Sequence, residues 1–346
     1  MKKIISIFFL FVNAALVSAQ DAHYTQFENS PFYINPGSAG MPEYGDFRGN
    51  LNTRNQWHKL VKPSRTTTMS FDAPILKYLG ESPSKSYLGV GGYFSSAAAG
   101  DAKTKQSGYG LIVSGITTIG NNKFLGLGIG AGRGSMRANL SNATWDEQYD
   151  GYQYNSSLPV SESLDGAYRA SYWDFSTGLN YMAIHRKTGN STNIGISYLH
   201  FTNPRLKKTD LINGRVDPRL VFHMRTEINM EIPHFLPIYL IPRLLFGHQG
   251  VHNEIQAGLS VFVVTNHISQ TLSFHHKEGI EVGAMYRHND AVGILAGYKK
   301  ENWKLGVGYD ITISRLGEAV KRRGGAELSL TYIGFNPNLK EKRTFY

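Results

Sequence analysis

Twelve histidines, twenty tyrosines and a glycine-rich run at 126–134 are the residue types in this 346-residue chain that invite a chemical reading. Their spacing decides against most of the chemistry. His275 and His276 are adjacent, which puts them on opposite faces of a strand. His248 and His252 are four apart, a spacing that suits a helix, but the flanking residues predict a tight connection there. No HExxH pair occurs, and with no cysteine there is no thiolate nucleophile, thiolate zinc site or disulfide. The glycines of 126–134 recur every second residue, so the G-x-G-x-x-G phosphate loop is not met and no Walker lysine follows. No G-x-S-x-G elbow is present. No catalytic residue, cofactor or metal site is expected, and the chain is expected not to be an enzyme. A different set stands out. Arg48, Arg54 and Gln56 lie in one stretch, Asp72 in the next, and Asp310 and Glu327 near the end. Two carboxylates together can trade a proton. Arginines beside them favour a salt-bridged structural network instead.

Those residues sit in segments of period two. In Trp303, Leu305, Val307, Tyr309 and Ile311 one face is apolar, while Lys304, Gly306, Gly308, Asp310 and Thr312 make the other. Leu125, Leu127, Ile129 and Ala131 alternate with glycines, and Ile280, Val282, Ala284 and Tyr286 alternate with Glu281, Gly283, Met285 and Arg287. Such alternation is the signature of strands, not helices. Strands are expected near 47–57, 64–73, 85–97, 106–119, 122–136, 171–186, 190–202, 218–232, 238–248, 253–264, 279–288, 291–299, 303–314 and 323–334. Segment 265–276 is read as a strand extension or a turn. Many of these are longer than the five or six residues usual in a sandwich and match the roughly 9–11 of a tilted membrane strand. The fold class predicted is therefore all-β, a transmembrane antiparallel β-barrel of about fourteen strands with both ends periplasmic. Phe47, Leu51, Met69, Phe71, Leu125, Leu127, Ile129, Leu305, Val307, Tyr309, Ile311 and Leu328 should face lipid. Arg48, Arg54, Gln56, Ser70, Asp72, Asp310 and Glu327 should face the lumen, with Asp310 roughly opposite Glu327 and all the charges in one region of the wall. Tyr87, Tyr93, Trp173, Tyr181, Tyr198, Trp303 and Tyr332 suit interfacial girdles. Inward glycines leave either an open pore or room for a plug.

The ends carry their own signals. Lys2 and Lys3, the apolar run to Val17 and the small residues before Gln20 form a secretory signal peptide over 1–19. Segment 20–46, with Pro31, Pro36 and Pro42, is a poor strand and a candidate plug or periplasmic strap. The barrel should span 47–335, and 336–346 is a basic periplasmic tail. Long connections at 137–170 and 203–217 fall on the outer side, and Trp145, Tyr149, Tyr152 and Tyr154 are the kind of aromatics that anchor a partner. The net charge of +10 is dispersed, with no aromatic nucleic-acid motif, so the phosphates of outer-membrane lipid or acidic polysaccharide are the expected partners of the basic residues and nucleic acid is not.

Four stretches resemble the PorP/SprF family of the Bacteroidetes type IX secretion system. Pro31–Gly40 is similar to its P-x-x-x-N-P-A-x-A-G segment, carrying Asn35 and Pro36, with Gly37 where Ala is usual. Arg54-Asn55-Gln56-Trp57 resembles R-x-Q-W, and Ser70-Phe71-Asp72-Ala73-Pro74 follows on the second strand. Gly308-Tyr309-Asp310-Ile311 and Gly325-Ala326-Glu327-Leu328 complete the set, with Ala326 replacing a frequent His. The resemblance implies an outer-membrane barrel without enzymatic activity. It would dock or anchor a secreted surface protein or adhesin of the type IX route, including gliding adhesins, and link to a periplasmic secretion or peptidoglycan-associated component. The alternative left open by the residues is a porin or a channel for small hydrophobic molecules.

Overall fold

The computed structural model describes residues 21, 23–41, 45–56, 64–79, 82–83, 85–99, 104–139, 146–155, 157–159, 167–185, 188–206, 214–232, 236–266, 277–314 and 323–334. Residues 1–19, expected from sequence to be a signal peptide, Trp57, Trp145, His275, His276 and the expected tail at 336–346 lie outside them.

Among the described residues fourteen strands close into one antiparallel barrel. They are β1 (Phe47–Gln56), β2 (Ser64–Ile75), β3 (Ser86–Ala99), β4 (Thr104–Gly120), β5 (Lys123–Asn139), β6 (Ala167–His185) and β7 (Asn190–Leu199). Then follow β8 (Arg219–Asn229), β9 (Ile238–Gln249), β10 (His252–Asn266), β11 (Glu278–Arg287), β12 (Ala291–Lys300), β13 (Trp303–Thr312) and β14 (Arg323–Gly334). Each strand pairs with its neighbours in sequence, and β1 pairs with β14 from Phe47↔Gly334 to Gln56↔Gly325, which leaves no open edge. No helix among the described residues is long and apolar enough to cross a membrane.

The alternation sets the two faces. Leu127 (60 % exposed), Ile129 (64 %) and Val307 (47 %) point outward, and the residues between them point in. This is the apolar belt that a lipid-embedded barrel requires. Trp173, Tyr198 and Trp303 are exposed on the same outer face. Two girdle expectations fail. Tyr87 is buried inward against Met41, Ile116 and Met182, and Tyr93 packs inward beside Phe32 and Ile112. Leu88 and Phe94 take the outward positions next to them, so both tyrosines serve the interior.

Two further expectations are corrected. The long connection read as 137–170 is shorter, because β5 runs on to Asn139 and β6 starts at Ala167. At 3.3 Å or so per residue, the 17 and 19 residues of β5 and β6 outrun the bilayer core and rise above one rim. The last hairpin is also offset. Glu327 lies opposite Gly308, not Asp310, and an irregularity between Tyr309 and Ile311 shifts the register so that Ile311 faces Arg323. A bulge of this kind is not visible in the alternation.

The near rim is the one where β1 starts and β14 ends; the far rim is opposite. Residues 21 and 23–41 fill the lumen between them. Asp21 touches Gln249 and His200 at the far rim, and Met41 packs with Tyr87, Ile116 and Met182 at the near rim. The segment therefore threads the barrel from end to end before β1 begins. Its short helices, Phe27–Asn29, α1 (Pro31–Ile34) and Pro36–Ser38, close their own backbone bonds locally. Pro31 and Pro36 each open a helix, where the missing N–H costs nothing.

Candidate functional site

The wall glycines make the lumen segment fit. A Cβ on Gly126 would lie 2.5 Å from the carbonyl oxygen of Gly37, and one on Gly128 would run into the backbone of Pro36. Gly37 itself has no room for one, with the Gly178 carbonyl oxygen 2.6 Å from where it would be. Real Cβ atoms do not come so close, so the backbone of 36–37 rests directly on the backbones of β5 and β6. Gly40 adopts φ +70° beside Gly89, a left-handed conformation that glycine takes without strain. Asn35 fixes the turn: its Oδ1 accepts from Gly37 N at 2.8 Å, and its Nδ2 donates to the Leu179 carbonyl at 2.9 Å. His223 Nε2 lies 3.1 Å from that same Nδ2. Tyr24, Phe27, Ile34 and the wall residues Val221, Leu245 and Met285 form an apolar cluster across the lumen. A fully buried side chain of this size contributes about 1.5–3 kcal/mol.

The charged residues singled out from sequence fall into two groups at two depths, which corrects the single region expected. At the near rim Arg48 and Asp72 are directly opposite in register and bidentate, at 2.8 and 3.2 Å. Asp72 also accepts the N–H of Gly40 at 2.8 Å. Six residues along β1, roughly 20 Å at strand rise, Arg54 sits opposite Glu327. Arg54 Nη2 reaches Asp310 at 2.5 Å and its Nη1 lies 3.4 Å from Glu327. Glu327 accepts the backbone N–H groups of Thr25 and Gln26 at 2.8 and 2.9 Å, and Asn52 Nδ2 at 3.1 Å. Thr25 Oγ1 donates to Asp310, which also receives Arg287 at 2.9 Å. Both carboxylates are thus fully engaged as acceptors for the lumen segment and the arginines. Gln56 sits half-buried at the far end of β1, opposite Gly325 and Ser64.

Two more ion groups were not singled out from sequence. Arg243 pairs with Glu28 and Glu281, while Arg225 pairs with Glu227 at 2.7 Å. At the far rim His200 lies between Asp174 (2.8 Å) and Asp21 (3.0 Å), and Arg219 bridges Asp21 (3.5 Å) and Glu254 (3.0 Å). Burial opposes charge on His200, but Asp21 and Asp174 outweigh it and raise the imidazole to about 10. Burial likewise opposes ionised Asp21, yet His200 and Arg219 bring it down to about 2. On β11 the alternation already pointed Glu281 inward. On β9 it was silent, because Tyr239, Ile241 and Leu245 are as apolar as the outward Leu240, Leu244 and Phe246.

Beyond the far rim Tyr149 and Tyr154 pair as a β-bridge. Asp150 Oδ1 caps the turn between them by accepting from the N–H groups of Tyr152 and Gln153 at 2.9 and 2.8 Å. Those bonds hold the Asp150 carboxyl below its ordinary range. The turn presents Tyr152 at 96 % exposure, with Tyr149 and Tyr154 also exposed.

A closed barrel with an apolar outer belt and a polar, filled interior is an outer-membrane β-barrel. The sequence profile of the type IX secretion system membrane protein PorP/SprF family matches residues 16–332, and the chain belongs to that family. Solved structures are similar at low identity. A TodX mutant monoaromatic hydrocarbon channel aligns with TM-score 0.46 at 11 % identity, over 86 % of this chain and 92 % of that one. The toluene transporter TbuX of Ralstonia pickettii gives 0.41 at 10 %, over 87 % and 92 %. BamA from Haemophilus ducreyi lacking POTRA domains 1–3 gives 0.42 at 10 %, over 83 % and 70 %. No curated protein matches the chain.

Proposed function

We propose that this barrel acts as a non-enzymatic docking component of type IX secretion. It anchors a secreted surface protein or adhesin at its far rim and links to periplasmic machinery at its near rim. The observation that carries the reading is the occupied lumen. Residues 21–41 are bonded to the wall from Asp21 to Met41, through Glu327, Asp310, Asp72 and the wall glycines. A barrel filled in this way has its rims left for partners, which weighs against the porin or small-molecule channel alternative. Barrels of this kind carry short periplasmic turns and longer external loops. The two-residue turn at 121–122 lies at the near rim, whereas the long connections from β5 to β6 and from β7 to β8 leave and re-enter the barrel at the far rim, which supports an external far rim. Tyr149, Tyr152 and Tyr154 then stand at the outer surface, where aromatic side chains supply contact area with little entropy to lose. The segment 20–46 acts as the plug and Asn35, Pro36, Arg48, Arg54, Asp72, Asp310 and Glu327 as its seat.

An in-frame deletion of 146–154 tests the reading. The barrel should still reach the outer membrane, while one or a few surface proteins are lost from the cell surface. Unchanged surface display, with the deleted barrel present at normal level, would refute the docking role of this loop.

A further inference from the structure

The outer surface of β4, β5 and β6 changes character in steps toward the far rim. Leu111, Leu127 and Ile129 belong to the lipid belt. Above them Tyr109 and Trp173 flank Arg133 in one register row, and the Arg133 guanidinium lies 5.8 Å from the centre of the Trp173 ring. The next outward row is hydroxylic, with Ser107, Ser135 and Ser171, and Ser107 and Ser135 are hydrogen-bonded at 3.0 Å. The row after that is cationic. Lys105, Arg137 and Arg169 stand directly opposite one another on three adjacent strands, all exposed. Like charges in cross-strand register destabilise a sheet, so such a row calls for a counter-ion. The sheet supplies none: β3 to β6 hold one carboxylate, Asp174, and it points inward to His200. The other carboxylates of this rim pair elsewhere, Asp21 with His200 and Glu254 with Arg219, and no described carboxylate forms a salt bridge with these cations. Outward at the same rim, β7 to β11 carry Tyr198, Leu220, Phe246, Ile255 and Tyr286, and no lysine or arginine.

Height decides what the counter-ion is. On β5 the span from Lys123 to Arg133 is ten residues, about 33 Å at strand rise, and a tilt of about 40° reduces it to about 25 Å, the height of an outer-membrane apolar band. Arg133 and Trp173 thus mark the edge of the hydrocarbon. Arg137, four residues on, stands about 10 Å above that edge, and the tilt staggers Lys105 and Arg169 by about 3 Å from its level. Long basic side chains reach the lipid headgroup layer from there. Guanidinium groups take a phosphate bidentately, and the serine row beneath offers hydroxyls to a sugar. We infer that Lys105, Arg137 and Arg169, with Arg133 below them, bind the phosphate of a phosphorylated glycolipid headgroup in the outer leaflet. The leaflet follows from the external far rim, and to that extent the inference rests on the proposed orientation. The connection 140–166 carries five carboxylates in sequence, Asp146, Glu147, Asp150, Glu162 and Asp165. They are the competing counter-charge, and the experiment includes them.

The test uses the full chain in non-ionic detergent and native mass spectrometry, which counts bound lipid. The probes are lipid A and its dephosphorylated form. The phosphorylated form should bind roughly tenfold or more tightly, the effect of hydrogen bonds to a charged group. Arg137→Gln combined with Arg169→Gln should remove that preference, while Lys123→Gln, outward at the other end of β5, should leave it intact. These side chains are exposed, so the barrel should fold in each variant. Changing the five loop carboxylates to amides should alter lipid A binding less than about threefold. A larger rise would assign the row's counter-charge to the loop and overturn the inference. Equal binding of the two lipid forms, full preference in the double variant, or equal competition by a phosphate-free acidic polysaccharide such as alginate would overturn it as well. Orientation is read separately. The chain has no cysteine, so Tyr152→Cys should react with a membrane-impermeant maleimide on intact cells. Failure of that labelling at normal protein level would overturn the external far rim and the outer-leaflet source together, whereas loss of the phosphate preference with labelling intact would overturn the lipid site alone.

Discussion

Replacing Glu327 by Gln isolates the junction where the first strand, the last strand and the lumen segment meet. The carboxylate accepts four hydrogen bonds: from Thr25 N at 2.8 Å, Gln26 N at 2.9 Å, Asn52 Nδ2 at 3.1 Å and Arg54 Nη1 at 3.4 Å. A glutamine has one accepting oxygen and turns a donor toward one of the two backbone N–H groups. Loss of one hydrogen bond to a charged group costs about 1.5–3 kcal/mol. Arg54 also loses a counter-charge in a buried site, where orphaning a charge completely costs roughly 3–5 kcal/mol. Asp310 stays 2.5 Å from Arg54, so that full penalty is not reached. The expected destabilisation is about 2–4 kcal/mol, bracketed by those two terms. Because one of the lost bonds holds the lumen segment, the segment should loosen before the barrel unfolds. The assay pairs a urea midpoint on detergent-refolded protein with protease mapping of residues 21–41. A shift below about 0.5 kcal/mol, within the range of an ordinary surface substitution, together with an uncut segment would refute the argument that Glu327 seats it.

Gly128→Val should expel residues 35–37 from the wall and expose them to protease, whereas Gly115→Ala, whose Cβ would meet nothing within 4 Å, should be silent in the same digest. Leu127→Lys places a charge on the lipid belt and should cost about 2–4 kcal/mol in refolding into bilayers if it lies near mid-membrane; Tyr152→Lys, at 96 % exposure, should cost nothing measurable. The His200–Asp21 contact should depend on pH in two directions. His200, raised from 6.5 to about 10, contributes stability that is complete below 6.5 and is lost as pH climbs toward 10. Asp21, lowered from 3.8 to about 2, contributes stability that is present above 3.8 and is lost as pH falls toward 2. Protease cutting near Asp21 should therefore be slowest between pH 4 and 6.5, and His200→Ala should flatten the alkaline side of that profile.

The architecture was legible because lipid imposes a simple rule. Where one face must be apolar and the other is small or charged, as in β5, β11 and β13, alternation alone assigns every side chain. That is why Arg48, Arg54, Asp72, Asp310 and Glu327 were placed inward correctly. Legibility failed where the rule relaxes. Tyr87 and Tyr93 are amphipathic and satisfy either face, so only the lumen segment packed against them decides. The register of the last hairpin differs by two residues from the alternation-based expectation, because a slip of two leaves every side chain on its own face and so is invisible to a period of two. The depth of each charge along its strand was also hidden, since period two says which face a residue takes and nothing of which partner crosses the lumen to meet it.

The wall glycines connect these points. Read alone, Gly126, Gly128 and Gly178 look like a gap in the barrel, and a gap would make a pore. In the structure the missing side chains are replaced by backbone: Pro36 and Gly37 lie where those Cβ atoms would be. A glycine costs conformational entropy in a strand and brings no packing of its own, so a run of them is stable only if something else fills the space. The segment that fills it ends in Gly40, held by Asp72, and starts at Asp21, held by His200 and Arg219. It is thus fixed by ion pairs at the far rim, by a backbone hydrogen bond to Asp72 at the near rim and by bare backbone contact between them. Each fixed point draws on different strands, so the segment and the barrel specify one another: the wall leaves room only for this backbone, and this backbone satisfies the charges the wall buries.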